Sequence, residues 1–444
     1  MKKGFPQLRF SLRFYLGGVV LILMLLLSWL LPFLFPVMKG ITLLFCGVCL
    51  ADGLMLFIRK KGIEAGREVS DRLSNGDPNP VKIILKNNYP FNARCEVIDE
   101  VPDQFQIRNF NMGVKLTPGA EKLLEYTLTP KRRGEYQFGY IRVFVVGPVG
   151  MVIRRYSSAA PKTCKVYPGF LQMRRFELLA ASERLTEAGI KTVRRLGHQL
   201  EFDQIRDYVS GDDFRTVNWK ATALRAKLMV NQYRDEKAQP VYSLIDMGRN
   251  MKMPFGGMHL LDYAINASLV ISNIAMLKQD KAGILTFNTG ISGFLPADRK
   301  NMYVLRIMEM LYKQETNFQE SDFEKLYAFV SKRIRQRSLL ILYTNFESRV
   351  SMERIKPVLL RISRSHPLLV ILFENTEINT LLGMKSSGAE EIYTKTIAEQ
   401  LVEEKRQMVK ELNRYGIFAL LTAPEKLNVN LINRYLEFKA TGVI

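Results

Sequence analysis

The first sixty residues contain two long apolar runs joined by a very short link. No charged residue lies between Phe14 and Met38, and residues 40–58 are apolar apart from Asp52. Each run is long enough to cross a bilayer, which needs about 20 residues. The first run is too long for the core of a signal peptide, and no small-residue cleavage site follows it. This pattern predicts a transmembrane hairpin over residues 1–60.

Basic residues flank the hairpin on both sides. They are Lys2, Lys3, Arg9 and Arg13 before it, and Arg59, Lys60, Lys61 and Arg67 after it. Loops rich in Lys and Arg stay in the cytoplasm. We therefore expect a multi-pass protein of the cell inner (plasma) membrane with both termini in the cytoplasm. Asp52 is expected to lie near the cytoplasmic end of its helix and to reach towards Arg59.

Residues 65–168 show short apolar runs separated by turn signals. Runs such as "VKIILKN", "LLEYTLTP" and "GYIRVFVVG" alternate with turns such as "SNGDPNP" and "KRRGEY". Strands of this length and spacing are typical of a β-sandwich. The segment is therefore predicted to be an all-β, immunoglobulin-like sandwich.

From Gln239 onwards, apolar strands alternate with helical periods. "PVYSLIDM", "AGILTFN", "SLLILYTNF", "PLLVILFE" and "IFALLTA" are separated by segments with apolar residues at helical spacing. Continuous apolar strands alternating with helices predict an α/β fold, a doubly wound parallel sheet covered on both faces. In such folds the functional crevice lies beyond the carboxyl ends of the strands. Those ends carry Asp246, Asn288, Asn345 and Glu374.

The composition narrows the environment and the partners. The 444 residues carry 64 Lys and Arg against 43 Asp and Glu, a net charge of +21, which suits an anionic partner or the inner membrane face. The spacing of the four cysteines shows no disulfide framework, so a reducing compartment fits. Three histidines at unrelated spacings do not indicate a histidine metal centre.

One set of oxygen-bearing side chains at the predicted strand ends could hold Mg²⁺. The candidate ligands are Asp246, Asn250, Ser321 and Asn345. A hard cation prefers oxygen ligands, but this set supplies one formal negative charge, and Arg249 lies beside it. The same residue types commonly cap helices. We favour capping, and we expect weak Mg²⁺ binding or none and no other cofactor.

The central stretch "GDDFRTVNW" combines two aspartates, cations and a tryptophan. A polymerase-like metal pair, a nuclease centre including Asp235 and Lys237, and a nucleic-acid contact are alternatives to a structural role. The alternating charges favour an architectural clasp, since buried charges are tolerated only when paired. In this interpretation Asp212 and Asp213 cap a helix and pair with Arg206 or Arg215. Trp219 is then expected to be buried against the core, and Lys220 to be exposed.

The longer stretch "EFDQIRDYVSGDDFRTVNWKATALRAKL" resembles the signature of the bacterial domain-of-unknown-function family 58. The signature matches are Glu201, Phe202, Arg206, Tyr208, Gly211, Asp212, Asp213, Arg215, Trp219, Thr222, Ala223 and Arg225. Leu224 stands where the family usually has arginine. The resemblance implies that residues 195–444 hold this signature and a von Willebrand factor A-like domain. Such domains often carry a metal-ion-dependent adhesion site, of which Asp246 is retained while Gly248, Asn250 and Asn345 depart from it.

The resemblance also implies a function. Similar proteins are regarded as partners of MoxR-type AAA+ ATPases, with roles in the assembly or maturation of other proteins, and other von Willebrand factor A membrane proteins are further candidate partners. We therefore expect a membrane-anchored interaction or adaptor protein without catalytic residues, bound to the lipid bilayer. The alternatives are a metal-dependent hydrolase or nuclease using the carboxylates of residues 201–236, or a basic nucleic-acid binder, which is less favoured.

Overall fold

The computed structural model describes residues 8–107, 110–181, 189–190, 201–234, 238–300, 302–316, 319–383 and 388–444. Within it the chain forms two compact units, residues 1–167 and residues 168–444. The basic cluster in residues 191–199 and the residues Asp235 and Lys237 lie outside the described residues.

The N-terminal apolar residues form two helices, and the break between them lies at residues 31–34, so the second helix begins within the first apolar run. Helix α1 spans Leu12–Leu30 (19 residues) and helix α2 spans Phe35–Phe57 (23 residues). At about 1.5 Å per residue they measure about 28 and 34 Å, close to the roughly 30 Å of a bilayer's hydrocarbon core. Both are long and apolar enough to cross a membrane, which confirms this part of the prediction. A third helix, Leu260–Leu277, also meets these criteria, but 83% of it is buried inside the structure.

The remainder of the N-terminal unit is all β. Its strands are β1 (Leu8–Phe10), β2 (Ile63–Glu68), β3 (Arg72–Ser74), β4 (Asn79–Asn87), β5 (Ala93–Asp99), β6 (Met112–Leu116), β7 (Glu121–Leu128), β8 (Gly134–Phe138), β9 (Ile141–Val146), β10 (Val152–Ser158) and β11 (Lys162–Tyr167). They form three sheets with the orders β1-β10-β9-β5-β6, β2-β4-β7 and β3-β11-β8. Alternate residues of β4, Val81, Ile83 and Leu85, are fully buried, as expected for strands with one face on a core. The all-β content is confirmed, and the immunoglobulin-like class stays a prediction.

Asp52 connects helix α2 to the β-strands of the same unit. Its side chain has no solvent exposure. Its carboxylate accepts hydrogen bonds from the backbone N–H groups of Val149, Met151 and Val152 at 3.0, 2.9 and 3.0 Å. The expectation that Asp52 reaches towards Arg59 is therefore wrong, because two amides of the β9–β10 connection and the first amide of β10 already satisfy the charge.

Both ends of the hairpin contact the same sheet. Before α1, strand β1 pairs with β10 in antiparallel fashion. After α2, the guanidinium of Arg154 on β10 donates to the carbonyl oxygens of Leu56 and Arg59, the second at 2.8 Å. Leu56 itself is fully buried in the core that contains Ile63 and Ile83. The last turn of α2 thus belongs to the β-rich core, and β1 is a strand that the sequence pattern did not predict.

The C-terminal unit alternates helices and strands. Its helices are α3 (Phe170–Ala181), α4 (Trp219–Arg225), α5 (Leu260–Leu277), α6 (Tyr303–Tyr312), α7 (Phe323–Arg333), α8 (Arg349–Ser365), α9 (Thr376–Gly383), α10 (Ala389–Arg414) and α11 (Leu427–Thr441). Its strands are β12 (Glu201–Asp207), β13 (Met229–Arg234), β14 (Pro240–Asp246), β15 (Pro254–Phe255), β16 (Met258–His259), β17 (Lys281–Phe287), β18 (Ile291–Asp298), β19 (Leu339–Tyr343), β20 (Leu368–Phe373) and β21 (Phe418–Thr422).

Six of these strands form the central sheet, in the order β18-β17-β14-β19-β20-β21. The pairs β17–β14, β14–β19, β19–β20 and β20–β21 are parallel, and β18 is an antiparallel edge strand. Every residue of β14 is buried, because α5 covers it on one face and the cluster of α7, α8 and α10 forms a core on the other. The predicted parallel α/β sheet is confirmed, and its von Willebrand factor A class stays a prediction.

Candidate functional site

The family-like signature forms a hairpin with an elaborated tip. Strands β12 and β13 pair in antiparallel register from Glu201 opposite Arg234 to Asp207 opposite Met229. Between them lie a loop, a 3-10 turn over Phe214–Thr216 and the short helix α4. The side chains of residues 201–203, including that of Glu201, lie outside the described residues.

Asp212 closes the loop that follows β12. Its two carboxylate oxygens accept from the guanidinium of Arg206 at 2.8 and 2.6 Å, and one also accepts from the N–H of Val209 at 2.9 Å. These donors lower the pKa of Asp212, chiefly through the Arg206 hydrogen bond. Gly211 has a φ of +112°, a conformation that favours glycine, so the turn needs this residue. The predicted pairing of Asp212 with Arg206 is confirmed.

Asp213 and Asn218 begin the two helical turns of the tip. The carboxylate of Asp213 accepts from the N–H of Arg215 at 3.0 Å, and the amide oxygen of Asn218 accepts from the N–H of Ala221 at 3.0 Å. These are ordinary N-cap contacts, which satisfy donors that a helix end leaves free. The predicted capping role of Asp213 is confirmed, and the two adjacent aspartates do not converge on a shared metal position.

Trp219 is not buried, which corrects the clasp interpretation. Its side chain is 63% exposed, and Phe214 is 59% exposed. Helix α4 has only seven residues and none of them is buried, so among the described residues no core receives the indole. Instead Phe214 packs edge-on against Trp219 at 6.1 Å and against Tyr208 at 6.3 Å between ring centroids.

We call the exposed apolar side chains of this hairpin tip the signature face: Val209, Phe214, Trp219 and Leu224. Val209 is 60% and Leu224 is 81% exposed. Four exposed cations lie in the same stretch of the chain: Arg215, Lys220, Arg225 and Lys227. Residues 214–228 contain no acidic residue. The tip thus exposes two aromatic rings in contact with each other within a stretch whose charged residues are basic from residue 214 to residue 228, and the exposure expected of Lys220 is confirmed.

A second polar cluster lies at the carboxyl edge of the central sheet. Asp246, at the end of β14, is buried and its carboxylate accepts from the hydroxyl of Ser321, from the N–H of Gly248 at 2.8 Å and from the hydroxyl of Thr344 at 2.6 Å. Burial raises the pKa of Asp246. A side chain at position 248 would collide with Ser321, because a Cβ there would lie 2.5 Å from its hydroxyl oxygen. The three donors therefore pack tightly around one carboxylate.

The other candidate metal ligands are held by neighbours rather than pointed at a common centre. The amide oxygen of Asn345 accepts from the ammonium of Lys405 on α10, which also donates to the carbonyl of Phe346 at 2.6 Å. The amide nitrogen of Asn250 donates to the carbonyl of Asn345 at 3.2 Å, and the amide oxygen of Asn250 is buried without a hydrogen-bond partner in the described part of the chain. Within that part no group of three or more His, Cys, Asp and Glu side chains could hold a metal ion.

Sequence reasoning found Asp246, Ser321 and Asn345 but missed Thr344 and Lys405. Thr344 directly follows a buried strand, beside Asn345, and that position was a usable signal. Lys405 had none, because it lies within the charged run "EEKRQMVKE" of a long amphipathic helix. Burial lowers the pKa of Lys405 to about 8.

Comparison with known proteins bears on this half of the chain. Residues 204–380 match the family described as "Protein of unknown function DUF58". The match includes most of the signature hairpin, Asp246, Asn250, Ser321 and Asn345. The uncharacterized protein YeaD of Bacillus subtilis (strain 168) is 25% identical over 203 residues, which is 44% of this chain. The chain spans about half (50%) of the length of that relative.

Solved structures are only weakly similar. The CARDB domain of the PF1109 protein from Pyrococcus furiosus, in complex with di-metal ions, is 18% identical and covers 23% of this chain and 86% of its own, with a TM-score of 0.18. Proximal thread matrix protein 1 from the mussel byssus is 11% identical and covers 46% of this chain and 48% of its own, with a TM-score of 0.26. Scores of this size support no conclusion about this chain.

Proposed function

We propose that this protein is a membrane-anchored interaction protein that docks a partner protein on the signature face. The observation that carries the proposal is the exposure of Phe214 and Trp219, two large aromatic side chains on a braced hairpin. Contiguous exposed apolar surface with a polar border is typical of protein–protein contact sites. Tryptophan and arginine are also the residue types enriched among the strongest contributors to binding.

The charge around the face argues for the kind of partner. Arg215, Lys220, Arg225 and Lys227 are all exposed, so an acidic surface with an apolar pocket would be complementary. The family resemblance suggests that this partner is a MoxR-type AAA+ ATPase, with a role in the assembly or maturation of other proteins. Other von Willebrand factor A membrane proteins are the next candidates on the same basis.

We propose the membrane arrangement from the contacts at the hairpin ends. Strand β1 lies just before helix α1, and the final turn of α2 ends the hairpin. Strand β1 and this final turn both contact strand β10. Two helix ends held by one folded domain lie on one side of a membrane, so α1 and α2 would cross it twice. The basic residues at both ends support the cytoplasm of a cell with an inner membrane as that side.

The fold classes also belong to the proposal. A parallel sheet with Asp246 at the end of its first strand, and hydroxyls of Ser321 and Thr344 on that carboxylate, supports a von Willebrand factor A-type domain whose metal site is degenerate. The all-β strands of residues 63–167 support an immunoglobulin-like domain. Neither assignment changes the docking proposal, which depends on the signature face.

The catalytic alternative has less support. Asp212 is occupied by Arg206 and Asp213 by a helix cap, so neither presents a free carboxylate pair to a metal. The nucleic-acid alternative is favoured by one observation, since exposed aromatic rings beside cations also bind single strands. The test below therefore includes it.

The experiment compares Trp219→Ala with Tyr393→Ala, a matched exposed aromatic on α10 that is 70% exposed. Full-length proteins are cross-linked in membranes and captured with candidate MoxR-type ATPases. We expect Trp219→Ala to weaken capture at least 10-fold and Tyr393→Ala to leave it unchanged. The free energy of unfolding should change by less than about 1 kcal/mol in both.

Two outcomes would contradict the proposal. Equal capture by Trp219→Ala and wild type would show that the signature face does not dock the partner. Binding of single-stranded DNA or RNA that falls steeply with salt and is lost in Trp219→Ala would instead support the nucleic-acid alternative.

A further inference from the structure

A cavity of about 210 Å³ lies at the carboxyl edge of the central sheet. Its walls come from the β15 segment, the ends of β20 and β21, and helix α10. Most of the lining is apolar, including Phe255, Leu260, Phe373, Leu401 and Leu421. Ligands of open α/β sheets bind at this edge, and small-molecule sites are typically apolar hollows with a few polar groups.

Lys405 places an ammonium group on the lining of this cavity. Two of its donors are used, by Asn345 and by the carbonyl of Phe346. An ammonium has three donors, and in the described part of the chain no carboxylate lies within 4.0 Å of this one. Glu347 of the same lining attracts this ammonium but forms no ion pair with it within 4.0 Å, so the charge in this largely apolar site is only partly compensated. The site would therefore gain from a ligand that brings an anion.

The other charged groups of the lining are distributed unequally. Glu347 is 60% exposed, and its carboxylate lies 3.8 Å from the guanidinium of Arg249. Arg406 is 61% exposed, and its guanidinium lies 3.9 Å from the carboxylate of Glu403. Glu347 and Arg406 are therefore at the rim of the cavity and already have partners. Glu374 differs, because no cation lies within 4.0 Å of its carboxylate among the residues that the structure describes. Lys405 and the half-buried Glu374 are therefore the charged groups of the lining that have no ion pair within 4.0 Å among the described residues.

We propose that this cavity binds a free apolar α-amino acid of about the size of leucine. The ligand's carboxylate would accept from Lys405, its ammonium would donate to Glu374, and its side chain would pack against Phe255 and Phe373. The cavity of about 210 Å³ is many times the roughly 10–15 Å³ that a single water requires, so it has room for a small organic molecule. A zwitterion satisfies both unmatched charges at once, whereas a simple anion or amine would satisfy only one.

The test is calorimetric titration of the full-length protein in lipid nanodiscs with L-leucine. Two analogues isolate the charges: 4-methylpentanoate lacks the ammonium and 3-methylbutylamine lacks the carboxylate. We expect saturable binding of leucine and at least 10-fold weaker binding of either analogue, since hydrogen bonds to charged groups are among the stronger ones. If no saturable binding occurs with leucine, valine or phenylalanine, or if 4-methylpentanoate binds as tightly as leucine, the proposal is wrong.

Variants assign the contacts. Lys405→Met and Glu374→Gln should each weaken leucine binding at least 10-fold. The matched control is Lys410→Met on the same helix, whose side chain is 71% exposed, and it should bind as wild type does. Unchanged binding in a folded Lys405→Met protein would overturn the proposed site.

A second measurement avoids dependence on the folding of the variants. The wild-type protein is acylated at its lysines for a short time and digested, and the extent of labelling is read by mass spectrometry. Leucine should slow the acylation of Lys405 and leave that of Lys410 unchanged. Equal labelling of Lys405 with and without leucine, at concentrations that saturate the calorimetric signal, would place the ligand elsewhere.

Discussion

At the scale of single residues, Lys405 makes the stability of the C-terminal unit depend on pH. Its pKa in the folded protein is about 8, below its ordinary value of 10.5, because burial disfavours the ammonium. Between pH 8 and 10.5 the unfolded chain binds more protons at this site than the folded one, so stability rises with pH there. Below pH 8 the full cost of the buried charge, roughly 3 kcal/mol, is present.

The measurement compares wild type with Lys405→Met by thermal unfolding at pH 7 and pH 10. We expect the wild type to gain stability relative to the variant as the pH rises, since methionine removes the charge at every pH. Lys410→Met provides the control and should show no such pH-dependent difference. A constant difference between wild type and Lys405→Met would contradict the lowered pKa.

Asp246 gives a prediction about metal. Its carboxylate already accepts from Ser321, Gly248 and Thr344, and the amide oxygen of Asn345 is held by Lys405. Mg²⁺ would have to displace these donors with one formal charge on the protein, so we expect weak binding or none. Calorimetric titration with MgCl₂ should show no saturable heat. Micromolar binding that disappears in Asp246→Ala would overturn this expectation.

At the scale of elements, the periodicity of apolar residues correctly predicted the strands and helices whose residues are buried. Strand β14 and helix α5 are apolar on all or most sides, and their patterns identified them before the structure did. Strand β1 has only three residues, Leu8–Phe10, and no pattern at that length distinguishes a strand from a loop. It exists because β10 offers it an edge, which is a tertiary cause.

The signature hairpin shows that local contacts can be predicted from the sequence whereas the exposure of a side chain cannot. The pairing of Asp212 with Arg206 and the capping by Asp213 are local contacts, and the sequence supports their prediction. The exposure of Trp219 depends on whether a core lies beneath α4, which no local pattern contains. The contacts of Lys405 could not be predicted for a similar reason, since its hydrogen-bond partners lie 60 and 59 residues away in sequence.

Helix α2 gives a prediction that distinguishes two roles of Asp52, because the two roles predict opposite effects of the substitution Asp52→Leu. If Asp52 were merely a polar residue in a membrane span, Asp52→Leu would make the span more apolar and favour insertion. In the structure the same change leaves the N–H groups of Val149, Met151 and Val152 without an acceptor. A buried unsatisfied donor costs about 1–3 kcal/mol, so we expect destabilisation of at least about 3 kcal/mol.

Thermal unfolding and limited proteolysis in nanodiscs would measure this effect. Cys49→Leu, one turn earlier on α2, is the control and should change little. Digestion within β9 and β10 should accelerate only in Asp52→Leu, because those strands flank the freed amides. A variant as stable as wild type would show that the carboxylate does not hold the β9–β10 connection.

At the scale of the whole molecule, the charge balance fits a protein on the inner face of a membrane. The chain has 64 basic and 43 acidic side chains, and the basic ones are distributed along its length. Near the hairpin ends, the exposed cations include Arg9, Arg13, Lys60 and Lys61. Anionic lipid attracts such segments by about 1 kcal/mol per cation near the surface. The hairpin would anchor the chain, and these residues would hold the adjoining strands against the headgroups.

The orientation of the chain follows from the same contacts and can be tested directly. Because β1 and the end of α2 contact one strand, β10, both ends of the hairpin should lie on one side of the membrane. The basic flanks predict that this side is the cytoplasm. Reporter fusions after Gly62 and after Ile444 should therefore be active only as cytoplasmic markers, whereas a reporter inserted in the link at residues 31–34 should be active only outside. An external signal at either of the first two positions would be incompatible with a hairpin clamped at both ends to one domain.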